Sequence, residues 1–471
     1  MKLSLVGFIF IVMGCTSIPK DYGMSEVKDM LAHKDITTAV NDTDSLESVV
    51  QSLLSETISI NDVVQLALIN NAELHKTYAS LGIAAADVYE AGRIRNPILS
   101  FSQLNSNQSG ERDLITLSFV TSLSDLITLP ARKQFAESQF TAMKQSIAAD
   151  ILHIINEVQI SYHNYAAALQ IQALKKHQHQ TATLSSRLAQ RYFNAGNISE
   201  RELSEQSAKA SFALFESFDA NENALSARKN LANLLGLSMD ASWQITSDLQ
   251  LPLSTEIDIA SLTATANKSR LDLVASISKA DRLAKQLGVT QWSRYLGDLD
   301  IGIERERETD GAKLTGPVLE WEFPIFSQHT DKKLRQSSDL KIAILDVQQL
   351  SNEIHNQVYA NYLMTSNAQA LVNEYLQIFI PTQTSIVASA QEEESFMLIG
   401  TFELLDTKQK EYESYVGLIK ALRDYWIAYS NLMYAAGNSL SLPSPEHIDA
   451  FNVQTIINDV SSEQHNTHRH H

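Results

Sequence analysis

Leu299-Asp300-Ile301-Gly302-Ile303-Glu304 and, one turn later, Val318-Leu319-Glu320-Trp321-Glu322-Phe323 alternate between apolar side chains and mainly carboxylates. A period of two puts the carboxylates on one face of an extended strand and most of the apolar residues on the other. The polar stretch between the runs, residues 308–313, contains Gly311 and reads as a hairpin turn. An earlier pair within residues 97–123 repeats the pattern: Ile115, Leu117 and Phe119 alternate with Thr116, Ser118 and Val120 after a turn containing Gly110.

Each run is about ten residues, the length of a tilted strand crossing a hydrocarbon core of ~30 Å. Carboxylates on one face and aliphatic or aromatic residues on the other fit a wet lumen and a lipid exterior, with Asp300, Glu304, Glu320 and Glu322 as the lumen-facing set. Four strands do not close, and an open sheet edge in a bilayer leaves N–H and C=O groups unpaired at several kcal/mol each. Three copies of four strands would close a shared barrel of twelve. The competing reading is an ordinary antiparallel sheet packed on a helix.

Outward from the strands, the chain is duplicated. Residues 57–240 and 258–440 each run through a short helix, two strands and a long helical stretch interrupted by one glycine. Leu74, Tyr162 and Tyr165 recur at one constant offset as Leu271, Tyr359 and Tyr362. Farther on the offset drifts, Gly196 being matched with Gly400 and Gly236 with Gly437, as when copies diverge by small insertions. Residues 131–195 and 325–380 contain neither Gly nor Pro. A helix of that size extends on the order of 90 Å, which calls for an elongated bundle or tube with Gly196 and Gly400 at its hairpin tips. Ile151, Ile154, Ile155 and Val158 keep helical spacing on an otherwise polar circumference. Pro130 is expected at the helix start, where its fixed φ favours initiation. Asn61 and Asp62 are expected to cap a helix that begins the ordered chain near Ile58 and runs past Asn70-Asn71 toward Glu90.

The balance of 37 basic against 55 acidic residues, net −18, disfavours a nucleic-acid partner. It fits either a solvated acidic surface or a cation-favouring interior. Residues 1–14 read as an export signal whose apolar run is too short to span a bilayer. Gly14-Cys15 reads as a lipoprotein cleavage site, with Cys15, the sole cysteine, lipidated. Acyl chains contribute ~0.8 kcal/mol per buried CH₂ and would tether the mature chain. Residues 15–56 are expected to be a tether or a strand-like wrap, residues 241–257 an equatorial connection between the repeats, and residues 441–471 a terminal segment ending in a flexible tail with His465, His468, His470 and His471. His177 and His179 lie about 200° apart around a helix and cannot share one ion. No phosphate loop, zinc-ligand spacing or nucleophile elbow occurs, so neither catalysis, a cofactor nor a resident metal is expected.

Several ordered phrases strongly resemble TolC-type outer-membrane efflux proteins. They are Asn70-Asn71-Ala72-Glu73-Leu74, Gly82-Ile83-Ala84, Arg95-Asn96-Pro97, Asp125-Leu126-Ile127-Thr128-Leu129-Pro130 and Phe396-Met397-Leu398-Ile399-Gly400-Thr401-Phe402-Glu403-Leu404-Leu405-Asp406, then Ala421-Leu422-Arg423-Asp424-Tyr425-Trp426-Ile427-Ala428. The likeness covers roughly residues 57–440. It implies a mainly α chain with a membrane β-barrel part: a homotrimer in the outer membrane of a Gram-negative bacterium, with a twelve-stranded barrel continuing into a long α-helical barrel. It also implies an exit duct joined to a periplasmic adaptor and an inner-membrane transporter, with Gly196, Asn197, Gly400 and Thr401 at the adaptor-facing tips. Glu403 and Asp406 match the acidic pair that rings the family's periplasmic gate, although Glu stands here for the first Asp and the loop from Gly400 is two residues shorter. Heavy-metal-handling lipoprotein relatives put metal ions forward as cargo. The alternative reading is a lipid-anchored periplasmic adaptor or scaffold, with a lipid-anchored hydrolase behind it.

Overall fold

The computed structural model describes residues 21–32, 43–108, 110–253, 257–293, 297–322, 325–326, 328–437 and 449–457. The export signal, Cys15 and the His-rich tail lie outside the described residues. The chain divides into two compact units, one of Met1–Asp29, Lys76–Ala149 and Leu271–Asn352, the other of Met30–His75, Asp150–Arg270 and Glu353–His471.

The first unit is built on a four-stranded antiparallel sheet of β1 (Ile98–Leu104), β2 (Leu114–Ser122), β4 (Asp298–Arg307) and β5 (Lys313–Glu322). Its order is β1-β2-β4-β5, so the two repeats meet at the β2–β4 pair and both outer edges are unpaired among the described residues. Register places Asp298 opposite Glu322, Asp300 opposite Glu320 and Ser118 opposite Glu304 on one face. The other face carries Leu99, Phe101, Leu117, Phe119, Ile301, Ile303, Leu319 and Trp321, all exposed. At the hairpin end of that apolar face Arg307 stands directly opposite Lys313, with Arg305 two residues before it.

Helices α4 (Ala72–Ala91), α5 (Leu123–Asn194), α8 (Leu271–Ser293) and α9 (Thr330–Glu374) supply the rest of this unit. Strand β2 passes into α5 without a loop, so Pro130 lies inside the helix rather than at its start. Ser122 Oγ accepts from the Asp125 N–H at 3.4 Å, covering a donor of the first turn. The segment before Ile58 is also structured, in α1 (Met24–Ala32) and α2 (Thr43–Ser55). Lys144 of α5 pairs with Glu26 of α1 and lies over the Phe140 ring.

The second unit holds α3 (Ile60–Asn70), α6 (Glu200–Leu235), α7 (Ile259–Ser269), α10 (Ile380–Ser395), α11 (Thr401–Ala436), the larger part of α5 and the second half of α9. The cap of α3 is Ser59, not Asn61 or Asp62; Asp62 sits at the third helical position and closes a capping box. The helix also stops at Asn71, whose ψ of 119° is extended. Asn71 Oδ1 restarts the chain as α4 by accepting from the Glu73 and Leu74 N–H groups at 2.8 and 3.1 Å.

This break anchors α6. Asn70 Nδ2 donates to the Leu235 and Gly236 carbonyls, both at 2.9 Å, and Asn71 Nδ2 to that of Leu234 at 2.8 Å. The second repeat does the same with other residues: Ser269 Oγ donates to the Gly437 carbonyl at 3.2 Å and Arg270 Nη1 to that of Ala435 at 3.3 Å. Gly236 and Gly437 end α6 and α11 at φ +65° and +64°. A Cβ on Gly236 would stand 2.4 Å from the Asn70 carbonyl oxygen, so the site needs glycine for space as well as for backbone hand.

The core lies where α5 packs on α11. Trp426 is fully buried, stacks on the His163 ring at 5.8 Å and donates its indole N–H to the Gln250 carbonyl at 2.7 Å. Tyr162 donates to the Thr246 carbonyl at 2.8 Å, and the Leu253 N–H donates to the Tyr425 hydroxyl at 3.1 Å. Residues 237–253 are thereby strapped across the hairpins, and β3 (Leu249–Gln250) pairs antiparallel with β6 (Ala450–Phe451).

Candidate functional site

The two hairpin ends in the second unit carry the residues singled out from sequence. At the first, Gly196 takes φ +77°, and the Gly196 and Asn197 N–H groups return to the Phe193 and Tyr192 carbonyls at 2.9 and 2.8 Å. Ser199 then caps α6 in a capping box with Glu202. At the second, the left-handed residue is Met397, φ +59°, while Gly400 has ordinary extended angles and is the cap of α11. The geometric partner of Gly400 is therefore Ser199, and that of Gly196 is Met397. Phe396, Met397 and Leu398 are all well exposed, Met397 at 92%, and form an apolar point that the sequence reading passed over. Thr401 is held inside the turn by donating to Glu394 Oε1 at 2.9 Å.

With Ser199 paired to Gly400, Glu403 and Asp406 correspond to Glu202 and Glu205 of the first repeat. Those two are occupied locally, Glu202 by the Ser199 cap and Glu205 by an ion pair with Arg201. The cap hydrogen bonds from Ser199 hold the Glu202 carboxyl below its usual pKa. Asp406 is committed differently. Both its oxygens accept from Lys209 Nζ at 2.6 Å, tying α11 to α6 across the two hairpins. Glu403, three residues earlier, is exposed and has no side-chain ion pair among the described residues. The i,i+3 pair thus divides into a latched and a free carboxylate.

Three further contacts extend this seam. Tyr192 meets Phe402 edge to face at 5.9 Å. Lys175, largely buried, donates to Glu413 Oε1 at 2.5 Å and Glu216 Oε2 at 3.2 Å, joining α5 to both α6 and α11. His177 Nε2 lies 3.2 Å from the Tyr412 hydroxyl. Burial, helped by nearby Lys408, lowers the His177 pKa, and burial lifts the Tyr412 hydroxyl to about 12, so both are neutral near pH 7. A groove of about 840 Å³ runs beside the seam, lined in part by Gln206, Lys209, Phe212 and Asp406.

The carboxylates Asp300, Glu304, Glu320 and Glu322 are in the first unit, together on the polar face of the sheet. Like charges directly opposite, as Asp300 and Glu320 are, disfavour pairing by roughly 0.2–1 kcal/mol. Their shared face is accordingly a strongly negative, water-requiring surface. Among the described residues no group of three His, Cys, Asp or Glu is placed to hold a metal ion.

Residues 63–237 match the sequence model of the family described as outer membrane efflux protein. No curated protein sequence matches the chain. Among solved structures, the Campylobacter jejuni CmeC outer membrane channel is similar at 18% identity and a TM-score of 0.65, covering 85% of this chain and 88% of that one. The Vibrio cholerae outer membrane protein VceC is similar at 17% and 0.65, covering 81% and 97%. A membrane protein from Pseudomonas aeruginosa gives 15% and 0.67, covering 80% and 93%. At such identities the likeness is one of fold. The first repeat carries the sequence pattern of outer membrane efflux proteins, and more than four fifths of the chain shares the fold of the CmeC and VceC outer membrane structures.

Proposed function

We propose that three copies of this chain form the outer-membrane exit duct of a tripartite efflux pump, conducting substrates passively outward from a periplasmic adaptor and an inner-membrane transporter. The observation that carries this is the sheet: four strands, two open edges, one exposed apolar face and one acidic face. A bilayer tolerates such a sheet only when copies close its edges. Exposed apolar stripes add support, Phe212, Phe215 and Phe218 on α6 and Tyr359, Leu363 and Leu371 on α9, since surfaces of this kind mark contacts with further chains. Cys15 anchors the mature chain by lipid, and Asp300, Glu304, Glu320 and Glu322 keep the lumen wet and cation-favouring.

The tips at Gly196, Asn197, Gly400 and Thr401, with the exposed Phe396, Met397 and Leu398 between them in sequence, meet the adaptor. Glu403 and Asp406 gate the periplasmic end, Asp406 through its latch to Lys209. Cargo is selected by the transporter rather than by the duct. A periplasmic adaptor or scaffold would not need an apolar sheet face. Unheated electrophoresis of outer-membrane extracts tests the proposal: a heat-sensitive trimer is expected, and a chain recovered only as a monomer in the inner membrane would sink it.

A further inference from the structure

The helical part of the first unit contains a cavity of about 410 Å³ between the end of α4, the first turns of α5, the second half of α8 and the start of α9. Four cationic side chains line it, Arg132, Arg282, Lys285 and Lys332, and no carboxylate does. Arg132 lies 4.0 Å from Asp125 and Lys285 lies 2.7 Å from Asp281, but neither Arg282 nor Lys332 has a carboxylate partner among the described residues. Arg282 instead lies over the Phe135 ring, 4.9 Å from its centroid. The Nε atoms of both Arg132 and Arg282 are buried without an acceptor among the described residues.

A buried charged donor left unpaired costs more than a neutral one, and two of the four cations, Arg282 and Lys332, have no carboxylate among the described residues to offset their repulsion. An anion in the cavity answers both. The volume falls within the range of pockets for small organic molecules and far exceeds a bare oxyanion. Phe135 and Val289 supply apolar wall. We propose that this cavity is a binding site for an amphiphilic organic anion, its carboxylate, sulfonate or phosphate head on Arg132 and Arg282 and its apolar body against Phe135 and Val289. The site is independent of the hairpin ends and of the acidic sheet face, and does not require the duct reading.

Calorimetric titration of the purified full-length assembly in neutral detergent tests it, with 1-naphthalenesulfonate as the probe and with 1-naphthalenemethanol and inorganic sulfate as the body-only and head-only controls. The sulfonate is expected to bind at least about tenfold more tightly than either control, and Arg282→Gln/Lys285→Gln to lose about tenfold or more in affinity. Lys332→Gln, at an exposed helix start, is expected to weaken binding less and serves if the double variant fails to assemble. Equal binding of the alcohol would overturn the proposal by showing that charge is not read. So would equal binding of sulfate, binding unchanged in the variants, or binding seen only after the assembly is dissociated, which would mean that a second copy covers the cavity.

Discussion

Removing the Lys209–Asp406 bridge is the perturbation most informative about gating. Lys209 Nζ reaches both Asp406 oxygens at 2.6 Å, but the two side chains are 47% and 48% exposed, so solvent screens the pair. An exposed pair of this kind contributes ~0.2–1 kcal/mol. In the proposed threefold assembly three such latches would act together, up to about 3 kcal/mol, which is on the order of a hundredfold in the closed-to-open ratio. Lys209→Ala and Asp406→Ala are each expected to raise the open fraction in planar-bilayer recordings at low salt. The double variant should open no further than either single one, because both remove the same bond. At 1 M salt the Debye length falls to about 3 Å and the difference from wild type should shrink. If Asp406→Ala opens the channel and Lys209→Ala leaves it unchanged, the latch is refuted and Asp406 acts with its symmetry mates instead.

His163 is buried against Trp426 and neither of its ring nitrogens has a partner among the described residues; burial depresses its pKa to about 3. The unfolded chain binds that proton from about pH 6.5 downward while the folded one does not, so stability is intact above pH 6.5 and is lost progressively as pH falls toward 3. At pH 5 the loss is about 2 kcal/mol, and His163→Phe should show a smaller drop in melting temperature between pH 7 and pH 5 than wild type. A Cβ on Gly417 would lie 2.4 Å from the Tyr375 hydroxyl oxygen. Gly417→Ala is expected to cost ~1–3 kcal/mol by overpacking, less the ~1 kcal/mol gained in helix propensity, with recovery on adding Tyr375→Leu; a melting temperature at or above wild type in the single variant would contradict this. Lys313→Glu turns the like-charge pair with Arg307 into an opposite-charge one and should stabilise the assembly by ~0.2–1 kcal/mol, read as slower heat dissociation.

The strands were the most legible part of the chain, because alternation over Leu299–Glu304 and its partner has no helical reading. Their register follows from the same pattern, since a one-residue slip would carry every carboxylate to the apolar face. The helix boundaries were less so. Asn70-Asn71 reads as part of a continuing helix, and the distant carbonyls of residues 234–236 make it a break. Pro130 suggested a start, but the direct passage from β2 into α5 gives the helix two turns before it. Gly400 was matched to Gly196 by residue type, whereas the backbone gives the left-handed position to Met397, which no sequence rule favours. Lys209 was missed because its partner lies 197 residues away. The equal spacing of Ser199–Gly236 and Gly400–Gly437 was the signal that would have pointed to it, by aligning Glu205 with Asp406.

That spacing leaves an imbalance in the second hairpin. Its rising arm, from Tyr362 to Met397, is four residues longer than the corresponding Tyr165 to Gly196, while the two falling arms are equal in length. Surplus chain on one arm alone has to be wound in, and the rising arm leaves the α pitch at Tyr375–Phe379, a π turn closed by the Ile380 N–H on the Tyr375 carbonyl. The first hairpin, α-helical along both arms, holds no such slack. A change of pitch is thus built into the second hairpin and absent from the first, so the two copies differ in helical winding as well as in sequence.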